Sequence, residues 1–231
     1  MRVALCISGQ PRFFEKGFVY INNCIIKPFQ PDVFMHIWYD KDHVGKPYSC
    51  APWNNGISDN IKPHTMEALK HIYNPKLSIF EPEKFWDNNL QRSYESNKGR
   101  QYSFITFSQF YSIMMANELK RQYERVNSFK YDWVIKIRTD WAIETLLPLQ
   151  QMARSSVYVP DNCPDPKYFN DQFAVGTSEN IDVYSSVFPN IDNYWVHDGV
   201  RLVGETMATH HLQVNKVSYI PLPISHSIIR S

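Results

Sequence analysis

From Val3 to Ser8 the chain is apolar almost without a break, and Gly9 ends the run. Such a run, with no alternation, suits a central parallel strand covered on both faces. The period then changes. Phe18, Ile21, Ile25 and Phe29 recur at spacings of three and four, which predicts a helix over Phe14 to Phe29, ended by Pro31. Asp32 to Trp38 reads as a second strand. A β-loop-α-β unit of this kind is almost always right-handed, so the loop Ser8-Gly9-Gln10-Pro11-Arg12 is expected at the carboxyl edge of the sheet.

Asp40 to Lys62 carries Gly45, Pro47, Pro52, Asn54, Asn55 and Gly56 with no period, which predicts a long loop. Thr65 is positioned to cap a helix reaching Tyr73. A short strand over Leu77 to Phe80 and a short helix over Phe85 to Leu90 are expected next. Gln91 to Arg100 is polar and patternless, a second candidate lid. The longest helical pattern is Phe104 to Val126, with Phe107, Phe110, Tyr111, Met114, Met115, Leu119 and Tyr123 on one broad core face. Tyr131 to Trp141 then holds an apolar strand, Val134, Ile135 and Ile137, whose end delivers Arg138 and Asp140. Two residues apart, they share a side if the strand continues.

The second half is less regular. Strands are expected at Val157 to Val159, Gln172 to Val175 and Val217 to Ile220. Helices are expected from Thr177 or Ser178 to about Phe188 and from Val203 to Val214. Asp161 to Asn170 is turn-rich, and the tail Pro221 to His226, with two prolines, is expected to be irregular. Alternating strands and helices define an α/β class with a mostly parallel central sheet flanked by helices.

At 231 residues the chain fits one such domain. A net charge of +1 without a basic stripe argues against a nucleic-acid partner. No apolar run approaches the roughly 18 residues of a membrane span. The apolar start is too short for a signal peptide. Cys6, Cys24, Cys50 and Cys163 lie far apart with no Cys-x-x-Cys pair, which argues against zinc and makes a reducing, cytoplasmic setting the expectation. The aromatic share of 15% supplies core, and also rings that can line a groove.

An acid at the end of a parallel strand reaches the crevice where α/β proteins bind ligands. A diphosphate there would repel it unless a divalent cation bridged the two, which makes Asp140 a candidate metal ligand. Arg138 can pair with the diphosphate or fix the Asp140 carboxylate, and an Arg–Asp pair that only ties down a strand end carries equal weight. In the first loop Gly9 permits close backbone approach and Arg12 can reach a phosphate, but neither a GxGxxG nor a P-loop pattern is present. Asp171 and Glu205 are candidate general bases. A turn role for Asp171 and helix-start stabilisation for Glu205 are the plainer alternatives. His226, between prolines and the chain end, can fold back as a metal ligand or phosphate donor, with a plain surface tail as the favoured alternative.

Taken together, Tyr131-Asp132 with Arg138-Thr139-Asp140 resembles the core of bacterial and viral GT-A glycosyltransferases, with Arg-x-Asp in place of Asp-x-Asp. Val3 to Arg12, Asp32 to Trp38, the helix Ser108 to Glu124 and Asn170 to Gly176 resemble the same group in the same order. The resemblance implies a GT-A-like fold over residues 1–231, with a Rossmann-like nucleotide-sugar-binding half at 1–141 and an acceptor-side half at 142–231. It implies a nucleoside-diphosphate sugar donor held by Ser8, Gly9, Gln10, Arg12, Arg138 and Asp140. It implies Mn²⁺ or Mg²⁺ on Asp140 and His226, and a glycan or other hydroxyl acceptor activated by Asp171 or Glu205. Arg138 in the first acidic position can replace part of the metal's charge. A nucleotidyltransferase and a non-catalytic nucleotide- or sugar-binding module are the rival readings.

Overall fold

The computed structural model describes residues 1–48, 59–84, 86 and 101–230, with side chains from 104 onward in the last segment. The middle of the 40–62 loop, Cys50, the expected helix at 85–90 except Trp86, and the whole of the second candidate lid at 91–100 fall outside these residues.

β1 (Val3–Gly9) and β2 (Asp32–Trp38) form where the apolar runs place them, buried on both faces. Between them α1 (Phe14–Ile21) passes through a π turn (Asn22–Ile26) into α2 (Lys27–Phe29), one helical rod over the expected stretch. Gln30 closes it in the left-handed conformation, and Pro31 cannot continue it. α3 (Thr65–Tyr73) starts one residue earlier than a Thr65 cap would have it. The cap position is His64, and the Thr65 hydroxyl instead donates to the Lys62 carbonyl at 2.8 Å.

β3 (Leu77–Glu81), α4 (Gln101–Asn127) and β4 (Trp133–Ile137) complete the first half. The core face of α4 is Phe107, Phe110, Ile113, Ala116 and Leu119, while Met114 and Met115 are only half-buried, displaced from the expected stripe. Polar groups share the inner face: Lys120 is fully buried and donates to Ser178 at 2.6 Å and Asp182 at 2.7 Å. β5 (Trp141–Ile143), too short for a periodic signal, follows, and then β6 (Ser156–Pro160) and β7 (Ala174–Gly176). Thr177 caps α5 (Ser178–Tyr184), which stops short of Phe188, and α6 (Ile191–Val196) is a separate helix. α7 (Gly204–Val214), β8 (Ser218–Leu222) and β9 (His226–Ile228) end the chain.

The expectation of an irregular tail fails. β8 runs through Pro221 because it is an edge strand paired on one side only, where a missing N–H costs no ladder bond. β9 pairs antiparallel with β5.

The main sheet has the order β3-β2-β1-β4-β7-β6-β8, in which β7 alone runs against the others. The β4–β7 pairing joins the first half of the chain to the second in one sheet. Alternation along the central strands divides the core. Leu5, Ile7, Ile135 and Ile137 face one layer with α1, and Ala4, Cys6 and Val134 face the other with α4. After β1 the chain builds outward to β2 and β3, and β4 returns to the opposite side. The strand order therefore reverses between β1 and β4, the place where open α/β sheets form a crevice.

Candidate functional site

A cavity of about 340 Å³ opens at the carboxyl ends of β1 and β4, under the α4 face of the sheet. Its wall includes Ser8, Gly9, Gln10, Arg12, Lys136, Arg138, Asp171 and Glu205. The fold thus gathers most of the sequence-derived candidates into one place. Asp140 and His226 are not on this wall.

The first loop is built to be rigid. Gly9 adopts φ 108°, open only to glycine without strain, while a Cβ there would meet nothing within 4 Å. Its N–H is already given to the Ser112 hydroxyl at 2.8 Å. Gly9 therefore supplies the turn rather than a close backbone approach to ligand. Ser112 is in turn held by the buried ring of His36 at 2.8 Å, whose other nitrogen meets Glu81 at 2.9 Å. Gln10 donates its side-chain amide to Glu83. Phe13 sits in the left-handed region at φ 46°, its N–H held by Asp59 at 2.7 Å.

Thr139 fuses this loop to the end of β4. Its fully buried hydroxyl lies 3.0 Å from the Gln10 carbonyl and 3.3 Å from that of Arg12. Gly17 of α1 packs so closely beneath that an added Cβ would lie 1.8 Å from the Thr139 carbonyl oxygen.

β4 ends at Ile137, and the next three residues form a tight turn. Arg138 grips Asp140 with two parallel hydrogen bonds, Nε to Oδ1 at 2.8 Å and Nη2 to Oδ2 at 2.7 Å. Arg12 approaches the same Oδ2 at 3.4 Å. Asp140 is 1% exposed, and the guanidinium beside it holds its carboxyl below the usual carboxylate range against the opposing effect of burial. The Nε–Nη2 edge of Arg138 is spent on Asp140, which leaves its Nη1 edge for the cavity that it lines.

Lys136 escaped the sequence reading. It lies two residues before Arg138, in β4 where Arg138 stands just past the strand's end, lines the same cavity, and is 2% exposed. Its ammonium donates to the Asp171 carbonyl at 2.7 Å, and burial pushes its pKa down to about 8.

Beyond Lys136 stand the two acids. Asp171 precedes β7 in a turn where Asn170 accepts from the Gln172 N–H at 2.9 Å, and Gln109 of α4 donates to its Oδ2 at 2.5 Å. Gly204 makes room for it, since a Cβ there would lie 1.9 Å from Asp171 Oδ2. Glu205, in the first turn of α7, has its pKa pushed up to about 7, by burial first and by the Asp171 charge second. The cavity wall therefore carries both signs of charge: Arg12, Arg138 and Lys136 with Asp171 and Glu205, and also Glu83 beside Gln10 and Arg230 on the side shared with the second cleft.

A second cleft of about 320 Å³ adjoins the first, sharing Glu205, Gln172 and Arg230, and is lined by Asn162, Asn170 and His226. His226 faces the carbonyl of Ile224 through Nδ1 at 3.0 Å and packs its ring 4.7 Å from that of Trp141.

The divalent cation implied by the glycosyltransferase resemblance does not fit Asp140. Both carboxylate oxygens already accept from guanidinium groups, and the residue is 1% exposed and not on the cavity wall. His226 does not join it either. The β5–β9 register sets His226 against Ile143, three positions beyond Asp140 and roughly 10 Å away along the ribbon at about 3.4 Å per residue. Among the described residues no group of three or more His, Cys, Asp or Glu side chains is arranged to hold a metal ion. In this arrangement Asp140 is a buried counter-ion, and His226 packs its ring at a tilt against Trp141 of the β5–β9 ribbon.

Fold and site define an α/β protein with a charged cavity at the switch point of a mostly parallel sheet. Residues 58–231, well over half the chain, match the family described as Domain of unknown function (DUF7796), and the chain belongs to that family. The match takes in Lys136, Arg138, Asp140, Asp171 and Glu205, and begins after the first loop. No curated protein matches the chain. Among the described residues no helix is long and apolar enough to cross a membrane.

Proposed function

We propose that this protein is a GT-A-type glycosyltransferase that moves a sugar from a nucleoside-diphosphate sugar to a hydroxyl of a glycan acceptor. The observation that carries this reading is the meeting of two sets of groups in one cavity: side-chain cations at the β1–β4 switch point, and the Asp171–Glu205 carboxyl pair facing the same space. Group transfer from a diphosphate needs both, one to receive the negative charge of the leaving group and one to take the proton of the attacking hydroxyl.

The diphosphate lies against Arg12, Arg138 and Lys136. Glu205 accepts the proton of the acceptor hydroxyl. Its raised pKa matches a base working near neutral pH, and the Asp171 charge beside it strengthens its basicity. The acceptor oxygen forms its bond to the anomeric carbon as the bond from that carbon to the phosphate oxygen breaks. The bonding pair leaves with the nucleoside diphosphate, whose charge the guanidinium and ammonium groups stabilise. Gln109 and Gly204 position Asp171, and Thr139 keeps the first loop in register with β4.

Incubating the protein with UDP-, GDP-, CDP-, ADP- and dTDP-sugars, and measuring release of nucleoside diphosphate, tests the reading. Release from one donor, accelerated by a saccharide acceptor, is expected. Failure of every donor to bind or turn over would overturn it.

A further inference from the structure

We infer that the pyrophosphate of the donor is neutralised by side-chain cations alone, Arg12, Lys136 and Arg138, with Asp140 as the buried counter-ion that fixes two of them, so that binding needs no divalent cation. The inference rests on the glycosyltransferase reading for the identity of the ligand, but its grounds are separate.

The first ground is the state of Asp140. A carboxylate that binds a divalent ion must offer an oxygen at about 2.1 to 2.2 Å to it. Both oxygens of Asp140 instead accept from Arg138, at 2.8 and 2.7 Å, and Arg12 stands 3.4 Å from the second. An ion placed on Asp140 would have to break the fork and then stand beside two guanidinium groups of its own sign. The fork is better suited to another purpose. A guanidinium fixed on one edge by a carboxylate presents its other edge already oriented, and planar guanidinium matches phosphate oxygens two at a time.

The second ground is Lys136. An ammonium that is 2% exposed has lost most of its hydration, and a buried charge persists where an opposite charge compensates it. Its hydrogen-bond partner among the described residues is a carbonyl, that of Asp171, which is neutral. No salt bridge to a carboxylate at Lys136 occurs among the described residues, although Asp171 and Asp140 both act on it at longer range. The group lines the cavity, two residues before Arg138, which lines it too. A diphosphate lying across both supplies the missing anion.

The third ground is rigidity. Thr139 bonds the carbonyls of Gln10 and Arg12 and so ties together the backbones that carry Arg12 and Arg138, while Asp140 holds both guanidinium groups. Preorganised cations cost little ordering on binding, which is the benefit a metal ion otherwise provides.

The test is calorimetric titration of the full chain with UDP, GDP, CDP, ADP, dTDP and inorganic pyrophosphate, in EDTA and again in Mn²⁺ or Mg²⁺. A nucleoside diphosphate that binds in EDTA, with a Kd changed by less than about tenfold on adding metal, is the expected result. Tightening by about tenfold or more, or binding in metal only, would overturn the inference and leave the donor reading standing. Pyrophosphate binding in EDTA with no nucleoside diphosphate binding would leave the cation cradle standing and overturn the donor reading. Binding of nothing in either buffer would overturn both. Arg138→Gln and Lys136→Met, checked for folding by circular dichroism, are each expected to weaken binding in EDTA by about 10- to 100-fold. Folded variants that bind as tightly as the parent would count against the cradle, and the metal comparison on the unaltered chain decides the matter if a variant does not fold.

Discussion

Arg138 and Asp140, separated by one residue, face each other through two hydrogen bonds of 2.8 and 2.7 Å. The pair is buried on the Asp140 side and open to the cavity on the Arg138 side, so the two residues answer differently to substitution. Asp140→Ala leaves Arg138 and Arg12 without their shared counter-ion. Loss of one partner of a buried pair costs about 3 kcal/mol or more. Urea denaturation is therefore expected to show a clear fall in stability for Asp140→Ala. If Asp140 served only as a ligand at an open site, its removal would leave the denaturation midpoint unchanged.

Arg138→Lys separates charge from geometry. Lysine keeps the positive charge but cannot make the two-bond fork or present a fixed second edge. Nucleoside-diphosphate affinity is expected to fall by roughly tenfold, the worth of about one charge-assisted hydrogen bond. An unchanged Kd in Arg138→Lys would mean that charge alone suffices.

Two glycines make steric predictions. Gly17→Ala would drive a Cβ to 1.8 Å from the Thr139 carbonyl, a backbone atom that cannot step aside cheaply. Gly204→Ala would drive one to 1.9 Å from Asp171 Oδ2 and 3.1 Å from Gln109 Nε2. Each is expected to cost about 1–3 kcal/mol in thermal or urea unfolding, as overpacking does. They should differ in function. Gly17→Ala disturbs the turn that carries Arg138 and is expected to weaken diphosphate binding. Gly204→Ala displaces the acid and is expected to slow transfer with donor affinity nearly retained.

What the sequence revealed and what it hid follow from the range of the interactions involved. β1, β2 and β4 were legible because strands covered on both faces need apolar residues at every position, which is a local signal. The turn at Arg138 was legible because it ends such a strand. Lys136 was hidden inside that same signal: one charged residue in an apolar strand reads as an exception, and only the two-residue period shared with Arg138 marks it as facing the cavity. Thr139, Gly17, Gln109 and Gly204 act on partners distant in the chain, so nothing in their own neighbourhoods announces them. β5 and β9, with three residues each, are too short to show alternation, and their pairing is what moves His226 away from Asp140. The prolines misled because an edge strand tolerates them on its unpaired side.

Lys136 gives the binding site a pH limit. Burial pushes its pKa down to about 8; the nearby charges are those of Asp171 and Asp140, which favour the ammonium, and of Arg138, which opposes it. Above about pH 8 the free protein holds this group increasingly neutral, so diphosphate affinity is expected to fall as pH rises from 7 to 9.5. Bound anion raises the pKa again, so binding at high pH takes up a proton. Calorimetry in two buffers of different ionisation enthalpy measures that uptake directly. Lys136→Met should show weaker binding with no such uptake and a flat profile over the same range.

Glu205 sets a second pH dependence, opposite in origin. Its carboxyl is raised from the ordinary value of 4.5 to about 7, by burial and then by the Asp171 charge. In the window between those two values the folded protein binds more protons at this position than the unfolded chain does. Its contribution to stability is therefore greatest below the lower value and is lost as pH rises through the upper one. Glu205→Gln cannot ionise and is expected to gain stability relative to the parent between pH 5 and pH 8, seen as a growing difference in Tm. The same substitution removes the proposed base. Transfer should fall by about 10²- to 10⁴-fold while nucleoside-diphosphate affinity holds. In the parent, the rate should rise with pH through about 7 as the carboxylate forms. A stability gain in Glu205→Gln without loss of transfer would leave the raised carboxyl a consequence of burial and pass the role of base to Asp171.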